Sequence, residues 1–180
     1  MTAETTEVID GRGPRLLVLG HAPTDAEVQA RRPFVGEHGE ILRQEILGKA
    51  PPHRALLAYA TVDAPEALLA AFEPEVVLAV GPEAETALSG LCGGKKQPLL
   101  VVGPDVAHLV RMGWPTTKTR GLIRKALSAL KRAINKAAKA SGAQQTCLHP
   151  STEHVGFWRG GKLDGEAIVA CAGCGEVMKP

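Results

Sequence analysis

Seven residues, Glu75–Gly81 (EVVLAVG), form an apolar run that stops at a glycine and passes directly into Pro82–Leu88 (PEAETAL). A run apolar on both sides of the chain suits a strand covered on both faces. Pro82 then sits at the first turn of a helix, where its missing N–H costs little. The same alternation recurs along the chain: strands at Arg15–Gly20, Ala55–Val62 and Leu99–Val102, and helices at Gly39–Leu47 and Pro65–Phe72. It predicts an α/β fold of three layers around a central, mainly parallel sheet. In such sheets ligands gather at the carboxyl ends of the strands. Here those ends are His21–Asp25, the stretch around Val62, Gly81–Glu83 and Gly103–Asp105.

At 180 residues there is room for one domain and a small appended module. The expected division is a loose lead-in over 1–13, the α/β domain over 14–140 and a C-terminal module over 141–180. A composition 44% hydrophobic and 22% charged excludes wholesale disorder. Aromatic residues make up only 3%, too few for an extended base-stacking platform. No apolar run approaches the ~18 residues of a membrane span, and the start MTAETTEVIDGRG lacks the features of a signal peptide. A cytoplasmic protein is expected, with thiols or metal ligands rather than disulfides.

The net charge of +2 is unevenly spread. Residues 1–117 carry −5, Lys118–Lys139 carries +8 with no acidic residue, and 140–180 carries −1. Ile123, Leu127, Leu130 and Ile134 recur at helical spacing. Arg124, Lys125, Lys131, Arg132, Lys136 and Lys139 fall within roughly 140° on the opposite side, with Lys118 and Arg120 at the start. Solvated surface helices usually mix their charges, because like neighbours repel. A stripe of one sign points to phosphate, and DNA is the expected partner.

At the C-terminus, Cys147-Leu148-His149 and Cys171-Ala172-Gly173-Cys174 have the ligand types and tight spacing of a zinc ribbon. Four such ligands close a tetrahedral structural site, and metal binding would supply much of the folding free energy of so small a module. His154 competes with His149 as the fourth ligand. Phe157 and Trp158 are available as a small core or an exposed contact.

Residues 20–36, GHAPTDAEVQARRPFVG, resemble the first motif of the uracil-DNA glycosylase superfamily, in the thermophile-type branch whose pattern runs GE(A/G)PG, an acidic stretch, then GRPFVGxAG. Gly20, Ala22 and Pro23 meet its start, Arg32–Gly36 its middle and Gly39 its last glycine. Pro74–Gly90 is similar to a later segment of the family, and the two matches together span about residues 15–135. The resemblance implies a uracil-DNA glycosylase-like fold with a base pocket built from Gly20, Ala22, Pro23, Phe34, Gly103 and Asp105. Phe34 would offer its ring to a flipped base.

Three polar positions depart from that pattern. His21 replaces the family's acidic residue, Gly103 stands where the late histidine belongs, and Ala58–Thr61 contains no asparagine. Losing one anion-stabilising donor costs about a hundred- to a thousandfold in rate. The cysteines that would hold an iron–sulfur cluster are absent from the matching region, where Cys92 stands alone. The resemblance therefore implies a DNA-binding protein that has lost standard uracil excision. Two alternatives stay open: a DNA repair glycosylase of altered base specificity using His21, with Asp25, His38 and Asp105 as candidate neighbours on the same rim, and a protein-interaction adaptor acting through the zinc ribbon.

Overall fold

The computed structural model describes residues 6–94, 97–141, 152–155, 168–171 and 177–178. Two compact units divide the chain, Met1–Gly142 and Ala143–Pro180.

The larger unit is α/β. Its five strands are β1 (Glu7–Ile9), β2 (Arg15–Gly20), β3 (Arg54–Tyr59), β4 (Val76–Val80) and β5 (Leu99–Gly103), in the order β1-β3-β2-β4-β5. The pairs β3·β2, β2·β4 and β4·β5 are parallel, and only β1 runs antiparallel, against β3. The helices are α1 (Asp25–Ala30), α2 (Gly36–Glu40), α3 (Pro65–Phe72), α4 (Pro82–Ala87), α5 (Val106–Arg111) and α6 (Thr117–Ala140). A π-helical segment, Ile41–Leu47, continues α2.

Strand alternation sorts the core into two layers. Leu16 and Val18 of β2 face one side, where Ile46, Leu109, Leu130 and Ile134 pack on them. Leu17 and Leu19 face the other, against Ala84 and Leu88, with Leu69 and Phe72 at the margin. The sheet is thus covered on both faces, which is why its central strands carry almost no polar residue. Cys92 is a half-buried member of the second layer, and burial pushes its thiol up from the ordinary value.

Three expectations need correction. Within the expected lead-in lies β1, whose Glu7 takes Arg43 at 2.6 Å and Arg32 at 3.0 Å, tying the segment to the loop before α2 and to the π-helical segment. The strand expected at Ala55–Val62, β3, ends at Tyr59, because the N–H groups of Val62 and Asp63 both turn back to the Tyr59 carbonyl. The helix expected at Gly39 already starts at Gly36.

Helix α6 is amphipathic as its spacing predicts, with Ile123, Leu130 and Ile134 buried together with Ala126 and Ala137. Leu127 lies at the edge, half-buried. Thr116 caps the helix reciprocally with Thr119, satisfying N–H groups that the first turn leaves free.

In the smaller unit, β6 (Thr152–Val155), β7 (Ile168–Cys171) and β8 (Val177–Met178) form an antiparallel sheet in that order.

Candidate functional site

From β2 the chain moves to β3 on one side and returns to β4 on the other. Such a reversal leaves a crevice at the carboxyl ends of the two central strands. A cavity of ≈ 230 Å³ lies there, with Gly20 from the end of β2, Val80 from the end of β4, Tyr59 from the end of β3 and Asp105 from just beyond β5. Topology alone therefore gathers four separate loops on one site.

The cavity wall is organised by Glu27, whose side chain is only 1% exposed. Thr24 and Glu27 form a capping box at the start of α1, the Thr24 N–H donating to Oε2 at 2.6 Å and its hydroxyl at 2.9 Å. Oε1 accepts from the Tyr59 hydroxyl at 2.5 Å and lies 3.0 Å from His38 Nε2. The Tyr59 hydroxyl in turn accepts the Phe34 N–H at 3.0 Å. Burial pushes the Glu27 carboxyl up, but the donors from Thr24, Tyr59 and His38 outweigh it and hold the group below its ordinary value. Burial, and donation to Glu27, raise Tyr59 far above the usual phenol range, so it stays a donor.

Glu7 is likewise held low: burial raises it, and its hydrogen bonds to Arg32 and Arg43 more than reverse that. Both carboxyls bind a proton less readily in the folded chain than in the unfolded one. The stability they contribute is complete above the ordinary glutamate value of 4.5 and is lost as pH falls through their lower folded-state values. Urea midpoints should accordingly be flat above that value and fall below it, with a shallower fall in Glu27→Gln.

Of the residues expected from the sequence, Gly20, His21, Ala22, Phe34 and Asp105 line the cavity. Pro23, Asp25 and Gly103 do not. Asp25 is the first residue of α1 and is exposed, as is His21, and no hydrogen bond joins the two among the described residues. Gly103 is buried at the end of β5, where an added Cβ would meet Leu78 at 3.1 Å. Phe34 is 3% exposed, with its ring centroid 5.0 Å from that of Tyr59. Gly20 makes room for this aromatic pair, since a Cβ there would stand 2.6 Å from the Tyr59 ring and 3.0 Å from Phe34. The sequence pattern leaves Glu27 unmarked and offers His38 only as a neighbour of His21. A Thr-x-x-Glu capping signal at 24–27 was the available clue to Glu27.

A second feature lies on α6. All eight basic residues, from Lys118 to Lys139, are exposed, and among the described residues none makes an ion pair. Near the start of the helix, Arg120 and Arg124 border a groove of ≈ 510 Å³ beside Trp114.

In the smaller unit Cys171 ends β7 and His154 lies in β6, whereas Cys147, His149 and Cys174 lie outside the described residues, as do Phe157 and Trp158. Among the described residues, no group of three or more His, Cys, Asp or Glu is placed to hold a metal ion. No helix among them is long and apolar enough to cross a membrane.

No protein-family model matches the chain, and no curated protein matches it.

Proposed function

We propose that this chain binds DNA, with the exposed face of α6 lying along the phosphate backbone, and that it is a uracil-DNA glycosylase-like protein without standard uracil excision. One observation carries the reading: a 24-residue helix exposes eight cations, has no acidic residue and offers them no ion pair among the described residues. Such a face is costly to itself through self-repulsion and is stabilised by a polyanion. The three-layer α/β architecture and the motif at residues 20–36 support the superfamily assignment. His21, Gly103 and the lack of an asparagine near Tyr59 support the loss of ordinary excision.

Duplex affinity measured against salt tests this. Each neutralised phosphate contributes about 0.9 to the slope of log K against log salt. Replacing Arg124, Lys125, Lys131 and Arg132 together by Ala should reduce that slope by about 3 to 4. All four are exposed, so the variant should fold. Salt-independent binding, or no binding by the parent chain, overturns the reading.

For the smaller unit the proposal is a structural zinc ion held by Cys147, Cys171, Cys174 and His149 or His154. Cysteine and histidine spacing supports it, as does pairing of Thr152 with Cys171, which sets the start of β6 beside the end of β7. Metal analysis of the purified chain should give one zinc, lost in Cys174→Ser.

A further inference from the structure

We propose that the groove beside Trp114, at the start of α6, is a site for one unpaired nucleotide of DNA, its base stacked on the indole and its phosphate held by Arg120 and Arg124. Three segments build the groove: the end of the π-helical segment gives Glu45 and Lys49, the loop before α6 gives Trp114, and α6 gives both arginines. It shares no lining residue with the cavity at the carboxyl edge of the sheet. Trp114 is half-buried, packs against the core layer that holds Ile123 and Leu130, and still lines the groove. A ring already fixed by packing loses little further freedom when a base stacks on it.

The charges of the groove leave a surplus of one sign. Lys49 and Glu45 pair with each other at 2.5 Å and cancel. Arg120 and Arg124 are exposed and make no ion pair among the described residues, so two guanidinium groups remain, whose planar forks match phosphate oxygens. At ~100° per residue, Arg120, Arg124 and Lys131 fall within roughly 40° of one another around α6. They form a column on one flank of the basic face, and its first two members line the groove. The volume of ≈ 510 Å³ lies within the ~300–1,000 Å³ of ordinary small-molecule sites, enough for base, sugar and phosphate together. Pairing decides which nucleotides can enter: a base inside a duplex is stacked on both faces, so only an unpaired one can offer a face to Trp114. One indole needs no extended platform, and it reads no sequence, because every base has a π-face. The inference rests on the DNA-binding reading and adds the form of DNA preferred, a duplex that carries a single-stranded tail.

The test uses the full chain carrying Trp158→Phe, which leaves Trp114 as its sole tryptophan and fluorescent reporter. It is titrated with a blunt duplex, the same duplex bearing an oligo(dT) tail, oligo(dT) alone and inorganic phosphate. The tailed duplex and oligo(dT) should quench the emission, whereas the blunt duplex and phosphate should leave it unchanged. The tailed duplex should bind about tenfold more tightly than the blunt one. Trp114→Leu should remove that advantage, and Trp114→Phe, which keeps a ring, should retain most of it. Replacing Arg120 and Arg124 together by Ala touches no buried group, so it tests the groove without risk to the core. It should lower the salt slope for the tailed duplex by about 2 and move quenching to higher DNA concentration. Equal affinity for blunt and tailed duplexes overturns the proposal, as does unchanged emission at saturating tailed duplex. Quenching by the blunt duplex or by phosphate to the same extent overturns it too. Steep salt dependence on the blunt duplex without any of the tail effects would sink this proposal alone and leave the reading of α6 standing.

Discussion

Glu27→Ala should destabilise the folded chain by about 3–5 kcal/mol, read as a lower urea midpoint at unchanged slope. The magnitude follows from what the truncation leaves behind. The Tyr59 hydroxyl, the Thr24 N–H and hydroxyl, and His38 all converge on this one carboxylate. Each buried donor left without an acceptor costs about 1–3 kcal/mol. Tyr59 is 3% exposed and cannot turn to water without leaving Phe34. The loss of side-chain packing adds to this, whereas the relief of burying a charge offsets part of it. Glu27→Gln separates the contributions: it keeps the shape and one acceptor oxygen but sets an amide donor against existing donors. It should fall between the parent and the alanine variant. A Glu27→Ala chain as stable as the parent would show that these hydrogen bonds contribute nothing net.

At Gly39 helix propensity and packing oppose each other, and the expected result is a loss of about 2 kcal/mol or more on Gly39→Ala. Propensity alone favours alanine by ~1 kcal/mol within a helix. An added Cβ, however, would overlap the carbonyl oxygen and carbon of Phe34. Those are backbone atoms, which have no rotamer to yield. Phe34 itself sits at φ 51°, a left-handed conformation uncommon for a non-glycine residue, and its N–H is bound to Tyr59. Moving that peptide disturbs the aromatic pair and the cavity wall together. The collision cost therefore exceeds the ~1–3 kcal/mol of ordinary overpacking. A stabilised Gly39→Ala variant would mean that the loop before α2 relaxes freely.

The four parallel strands were legible because each is a short apolar run closed by a turn signal, and burial on both faces leaves little else to confuse it with. Helix α6 was legible for a related reason: 3.6-residue spacing separates Ile123, Leu130 and Ile134 from the cations over several turns. By contrast, β1 is only three residues long and Val8 is exposed, so no pattern marks it. Its strand state follows from pairing with Ala55–Leu57, far along the chain. Helix α1 had a local signal in Thr24 and Glu27, but six residues carry too little periodicity to declare a helix.

The motif at residues 20–36 lies on the rim of the sheet where the cavity opens, and its residues enter the cavity unevenly. His21 reaches the cavity, but Asp25 does not. The groups that meet there instead are Glu27 with His38, 11 residues on, and with Tyr59, 32 residues on. The sequence by itself determined the layers, the carboxyl-edge location and the cationic face of α6, since each depends on periodicity or charge among near neighbours. Only the tertiary structure decided which polar atoms share a carboxylate and which ring fills the space beside Gly20. Those contacts join helices α1 and α2 to the ends of β2 and β3, and their distances depend on how the loops between these elements close.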